Sequence, residues 1–169
     1  MGSVLQRIYA GIDPHPAFRI VQFLTRFAYR RGRLRISVRD SSAQVFTETP
    51  ETVMSSSQLN ALAVAVFLTF NLGLQRPPLR SALLDDPLQI LDDINLLGIV
   101  DVLRRAKSGR QLIVSTHDPR LGQLLEKKLR SVAVAERTRI LQFETWTREG
   151  PVVVERDVEP DARPLKIAV

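Results

Sequence analysis

Two carboxylates, one imidazole and a run of serines are the residues of this chain with the types and spacing to do chemistry. Asp85 and Asp86 stand side by side after a short apolar run, Ser81-Ala82-Leu83-Leu84, and before Pro87. A run of that kind reads as a core parallel strand buried on both faces. A strand that ends in two carboxylates presents them at the carboxyl edge of a sheet, where open α/β folds take their ligands. His117 follows a second such run, Gln111 to Thr116, so a neighbouring strand would bring its ring beside Asp86. Ser55-Ser56-Ser57-Gln58 precedes a long apolar stretch. Serine is a good N-cap, and the free N–H groups of a helix start, with the helix dipole, form an anion site. Each group also has a plain reading: the carboxylates end a strand and open a turn, His117 caps a helix, and the serines are an ordinary cap.

The elements that would position these groups follow from periodicity. Val4 to Tyr9 reads as a short helix or strand, ended by the turn Gly11-Ile12-Asp13-Pro14-His15-Pro16, in which His15 is structural. Phe18 to Tyr29 and Arg33 to Arg39 form a hairpin joined at Arg30-Arg31-Gly32, its second run alternating Leu34, Ile36 and Val38 with arginines. Ser41 to Val53 reads as a loop. A helix then starts near Ser57, with Leu59, Leu62, Ala63, Val66, Phe67 and Phe70 on one stripe and apolar residues on the others, so it is expected to be buried nearly all round. Asp92 or Asp93 caps a further helix with the stripe Leu96, Ile99, Val100 and Leu103, ended by Gly109. After the second strand comes a helix with Leu121, Leu124, Leu125 and Leu129, then short strands at 132–134, 138–146 and 152–156. Strand, helix, strand, helix at this spacing is an α/β unit with parallel core strands. The stretch from Asp157 to Val169 looks like a loose tail.

Bulk properties agree with a packed domain. Of 169 residues, 44% are apolar and a quarter charged, which excludes large-scale disorder. The absence of cysteine excludes disulfides and thiolate metal sites and fits a reducing cytoplasm. The start, Met1-Gly2-Ser3-Val4, lacks the basic and apolar regions of a signal peptide. The longest apolar stretch, Leu59 to Leu74, is too short to span a bilayer, so no membrane role is expected. The net charge of +6 points weakly to nucleic acid or acidic membrane partners.

Four segments carry a family resemblance. Met54-Ser55-Ser56-Ser57-Gln58, Leu84-Asp85-Asp86-Pro87, Leu91-Asp92 and Ser115-Thr116-His117-Asp118 resemble, in order, the signature motif, Walker B, D-loop and switch histidine of ABC-type ATPases. The short step from Walker B to the D-loop is similar to SMC-like, double-strand-break-repair-type heads, and argues against the nucleotide subunit of a membrane transporter. The resemblance covers residues 50 to 130 well and the flanks loosely. It implies the C-terminal lobe of a P-loop ATPase head over residues 1–156, with a basic hairpin at 18–39 and the motif core at 53–130.

The resemblance also implies roles. Asp85 would hold Mg²⁺ through its water shell, since Mg²⁺ uses few protein carboxylates. Asp86 would polarise the attacking water as general base, although the family more often has the longer Glu there. His117 would contact the γ-phosphate of ATP. Ser55, Ser56, Ser57 and Gln58 would bind the γ-phosphate held by the opposite head of an ATP-sandwiched dimer. Ser56 and Ser57 replace the usual glycines, so a backbone with positive φ would be disfavoured. Asp92 would lie in the D-loop at the dimer interface, or be a plain N-cap.

One motif is missing. No G-x-x-x-x-G-K-S/T occurs, so the phosphate-cradling loop is not in this sequence, and no heptads of a coiled coil are either. The implied partners are therefore a Walker A lobe with its coiled coil and a second head. The implied function is ATP hydrolysis in DNA repair, recombination or phage defence, with the isolated chain inactive. The alternative is a non-catalytic dimerisation or DNA-docking module. Arg31, Arg33 and Arg35 fall on one face of the hairpin, with three readings open: a solvated face, a surface for acidic residues of the other lobe, or a contact with duplex DNA.

Overall fold

A computed structural model of the chain describes residues 1–12, 15–28, 31–74, 79–87, 93–131 and 136–160, except for the side chains of 28, 93 and 94. The chain divides into two compact units, Met1–His117 and Asp118–Val169.

The first unit opens with helix α1 (Gly2–Ile12). Leu5, Ile8, Tyr9 and Ile12 recur at helical spacing and are all buried, which settles the helix-or-strand choice for this segment. The Tyr9 hydroxyl donates to the Phe18 carbonyl at 2.8 Å, and the Gln6 amide bridges the Arg19 carbonyl and the Val21 N–H. These bonds fix where the next strand begins. His15 Nδ1 accepts the Ala17 and Phe18 N–H groups, both at 3.0 Å, so it closes the turn as expected.

Strands β1 (Ile20–Ala28) and β2 (Arg31–Arg39) pair antiparallel, from Ile20 opposite Arg39 to Ala28 opposite Arg31. The hairpin expected at 18–39 is therefore present, with its second strand starting two residues earlier than Arg33. The segment expected as loop, 41–53, contains a two-residue strand β3 (Phe46–Thr47), which extends the sheet beyond β2, and a 3-10 turn at Pro50–Thr52.

Helix α2 (Ser56–Gly73) follows. Its buried residues are Ala61, Leu62, Val64, Ala65, Leu68 and Thr69, whereas Ala63 is exposed and Phe67 is 38% exposed. The expectation of burial all round, with a stripe through Ala63 and Phe67, is thus corrected. A helix apolar on every side gives periodicity no phase to report, and here the face carrying Ala61, Leu62, Ala65 and Leu68 meets the core. Thr69 is buried without loss because its hydroxyl donates to the Ala65 carbonyl at 2.7 Å.

Strands β4 (Ser81–Asp85) and β5 (Gln111–Ser115) are parallel, joined through helix α3 (Asp93–Ala106). The expectation that both strands are buried on two faces is corrected as well. Ala82 and Leu84 are buried, but Leu83 is 65% exposed and Ile113 is also open. Only one face of this strand pair meets the core. Helices α1 and α3 cross closely at Gly98: a Cβ there would lie 2.9 Å from the Gly11 carbonyl oxygen and 3.0 Å from Ile12 Cα. Gly98→Ala is expected to lower stability by about 1 kcal/mol, because overpacking against backbone outweighs the gain in helix propensity. Urea unfolding checks it; an unchanged or higher midpoint would contradict the tight crossing.

In the second unit, helix α4 (Pro119–Leu129) is capped by the Asp118 side chain, which accepts the Arg120 N–H at 2.8 Å. Strands β6 (Thr138–Thr147) and β7 (Gly150–Val158) form a hairpin with a register shift between Phe143 and Thr145. The strand expected at 132–134 lies outside the described residues. The expectation of a tail starting at Asp157 is corrected at its start, because Asp157 is still in β7 and takes a hydrogen bond from Arg139 at 2.9 Å, and residues 161–169 lie outside the described residues. Arg156 grips Glu126 with both guanidinium nitrogens, at 2.8 and 2.9 Å, and this fork holds the Glu126 carboxyl below its usual range. Among the described residues no helix is long and apolar enough to cross a membrane.

Candidate functional site

The parallel register of β4 and β5 places Asp85 opposite Ser115, so both strands reach the carboxyl edge together. One step further, the Asp86 N–H donates to the Ser115 carbonyl at 3.0 Å. Asp86 has φ +44°, in the left-handed region that few side chains other than Asn and Asp enter readily. This turn brings the Asp86 carboxylate toward the end of β5. One oxygen accepts the Thr116 hydroxyl at 3.3 Å, and the other contacts His117 Nδ1. The Ser115 hydroxyl donates to the Asp85 carboxylate. Asp85, Asp86 and His117 are expected together from the sequence, and the structure brings them together. Ser115 and Thr116 carry no role in that expectation, although their position just before His117 is a usable signal once the strands are paired.

The Asp86–His117 contact sets the chemistry of both groups. A carboxylate only accepts, so the hydrogen lies on Nδ1 and Nε2 is left for another partner. The Asp86 side chain is 19% exposed and that of His117 74%, so the imidazole is the outer member of the pair.

Helix α2 is tied to the same strand at two points. The Asn60 side chain donates to the Pro87 carbonyl at 2.8 Å, and that of Asn71 to the Ser81 carbonyl at 2.9 Å. The helix therefore runs antiparallel to β4, with its N-terminus at the carboxylate end of the strand. Ser55 caps that N-terminus in a capping box: its hydroxyl accepts the Gln58 N–H at 3.3 Å, and the Gln58 side chain accepts the Ser55 N–H at 2.9 Å. Ser56 and Ser57 lie in the first helical turn, and neither has positive φ. Their side chains thus impose no backbone strain where the family's usual glycines stand. The Ser56 and Ser57 N–H groups make no hydrogen bond among the described residues.

Asp92 and Leu91 lie outside the described residues. Arg31, Arg33 and Arg35 stand on one face of the β1–β2 hairpin, joined there by Arg39 and, from the paired strand, Arg26.

No family model matches the sequence, and no curated protein does either. Solved structures do match. An SMC head bound to the C-terminal winged-helix domain of ScpA superposes with a TM-score of 0.67 at 16% identity, over 94% of this chain and 42% of that one. The SMC head domain with coiled coil and joint from Pyrococcus yayanosii gives 0.58 at 17%, over 93% of this chain and 26% of that one. The SMC head domain from Thermotoga maritima gives 0.55 at 16%, over 94% and 47%. The chain thus spans less than half the length of these three relatives. At such identities the likeness is one of fold, and the chain has the α/β fold of part of an SMC ATPase head.

Proposed function

We propose that the chain is the C-terminal lobe of an SMC-like ATPase head, supplying Walker B, the switch histidine and the signature helix to a nucleotide site completed elsewhere. One observation carries this reading. Two adjacent carboxylates at the end of β4 meet a histidine at the end of the parallel neighbour β5, on the fold of an SMC head.

The residues fit a magnesium nucleotide. Asp85 accepts one hydroxyl and is otherwise open to solvent, so it has oxygen lone pairs to offer hydrated Mg²⁺. Among the described residues no cluster of three acidic or imidazole ligands forms. Hydrated Mg²⁺ keeps several waters and would need from this chain only the Asp85 carboxylate. Mg²⁺–ATP, when bound, supplies the phosphoryl group and neutralises its charge. Asp86, held by Thr116 and His117, orients the attacking water and accepts its proton. His117 offers Nε2 to the phosphate. The Ser56 and Ser57 N–H groups at the start of α2 take an anion presented by a second head. Asp92 belongs to the interface with that head.

The uncovered apolar residues support the incomplete-head reading: Leu83 and Ile113 on the strand pair and Phe67 on α2 are large, exposed and suited to a lobe carrying the phosphate loop. The biological setting we propose is cytoplasmic, in DNA repair, recombination or phage defence. The missing phosphate loop favours one second reading, a dimerisation or DNA-docking module without turnover. The isolated chain is expected to hydrolyse ATP no faster than buffer. Magnesium-dependent turnover by the purified chain, abolished by Asp86→Asn, would overturn the incomplete-head reading.

A further inference from the structure

We infer that the open edge of β2 is a docking surface for an extended acidic segment of a partner polypeptide, added antiparallel as a strand where β3 stops. Strand β3 pairs with β2 only at Arg39 opposite Phe46 and Val38 opposite Thr47. Pro50 follows soon after, and a residue without an N–H cannot carry the ladder on. From Arg31 to Ser37 no strand covers this side of β2 among the described residues. Successive residues of a strand turn their N–H and C=O groups to opposite edges. The Asp40 N–H donates to the Val45 carbonyl at 2.8 Å, on the β3 side, so Ile36, Leu34 and Gly32 turn theirs to that same side.

Glu48 shows what this edge accepts. Cross-strand partners share a face. The register puts Arg31, Arg33, Arg35 and Arg39 on one face, with Arg26 opposite Arg33 and Phe46 opposite Arg39. Just beyond β3, in the same alternation as Phe46, Glu48 pairs with Arg26 and Arg35, the second at 3.3 Å, and its side chain is only 15% exposed. A carboxylate delivered along this edge is thus gripped by two guanidinium groups. Arg31 and Arg33, farther along, are exposed and make no ion pair or hydrogen bond among the described residues. Alternate residues of a strand lie about 6.8 Å apart. Carboxylates at alternate positions of an added strand therefore continue the line from Glu48 past Arg35, Arg33 and Arg31. The residues between them fall on the opposite face, beside Leu34 and Phe27, which are 52% and 81% exposed, and are apolar.

Backbone chemistry selects a polypeptide as the occupant. The edge offers carbonyls as well as N–H groups; phosphate oxygens only accept, whereas a peptide strand returns both partners. A second copy of this chain is excluded, because β2 against β2 sets one arginine row on another. The docking surface needs no nucleotide, so it stands or falls apart from the function proposed above.

The test is fluorescence anisotropy of a labelled peptide of about nine residues, alternating glutamate and valine, with the full 169-residue chain. Binding is expected at roughly 50 mM salt, where exposed charges are weakly screened. Arg31→Glu with Arg33→Glu is expected to weaken it about tenfold or more, through like-charge repulsion. In the proposed register the valines pair with Gly32, Leu34 and Ile36, so N-methylation of the valines is expected to abolish binding and N-methylation of the glutamates to leave it. A purely electrostatic contact does not tell these two peptides apart. Lys127→Glu with Lys128→Glu, exposed on α4, serves as the control for net charge. If the double reversal fails to fold by circular dichroism, Arg31→Gln with Arg33→Gln carries the test. No binding by the wild-type chain overturns the proposal, as do equal binding of the two methylated peptides and an equal loss in the lysine control. A labelled DNA duplex bound as tightly as the peptide, and lost in the same arginine variants, also overturns it and assigns the face to nucleic acid.

Discussion

Asp86→Asn, in a head completed by a phosphate-loop lobe, is expected to bind ATP nearly as the wild type does and to turn it over about 10²-fold more slowly or worse, the scale for losing a general base. The hydrogen bonds of the site explain the split. Asparagine keeps one oxygen for the Thr116 hydroxyl, but its amide nitrogen cannot accept the hydrogen on His117 Nδ1. The substitution therefore removes the proton acceptor and also disturbs the tautomer of the imidazole beside it. Asp85, which holds its own hydroxyl bond from Ser115, keeps its carboxylate for the cation. His117→Ala is expected to slow turnover in the same direction, because the imidazole that holds one Asp86 oxygen is lost. Single-turnover rates with equilibrium nucleotide binding separate the effects. Wild-type kcat in either variant would contradict the assigned roles.

The second large effect concerns the helix that carries the signature serines. Leu68 is fully buried and Phe67, beside it in sequence, is 38% exposed. Leu68→Ala is expected to destabilise the fold by about 2–5 kcal/mol, combining lost transfer energy with the cavity left behind. Phe67→Ala removes more side chain from a site open to water, and is expected to cost less than about 1 kcal/mol in the isolated chain. Urea unfolding at constant m-value compares the two. Equal losses, or a larger one for Phe67, would show that α2 faces the core with a different side.

That contrast marks where the sequence is legible. The two carboxylates and the histidine can be placed together because β4 and β5 are short apolar runs ending in unlike polar groups. Once such runs pair in parallel, only one register brings their ends level. The hairpin is legible for a related reason, since alternation of arginine with Leu34, Ile36 and Val38 fixes which residues share a face. The phase of α2 is not, because a helix apolar on all sides offers no single stripe to mark the face that meets the core. Nor is the one-sided burial of β4 and β5. An uninterrupted apolar strand reads the same whether its second face is covered by its own chain or by another, and Leu83 and Ile113 carry no mark of which. The left-handed backbone at Asp86 is hidden too, since Asp-Pro announces a turn without saying which residue takes positive φ. Ser115 and Thr116 become visible only when the register sets their hydroxyls beside the two carboxylates.

If this lobe engages nucleotide between two heads, as proposed, the molar mass of the completed head must respond to ATP. With Asp86→Asn blocking hydrolysis, light scattering is expected to show a monomer without nucleotide and a stable dimer with saturating Mg²⁺–ATP. The serine-capped start of α2 would then meet the phosphates bound by the opposite head. A head that binds ATP yet stays monomeric at saturation would contradict the account.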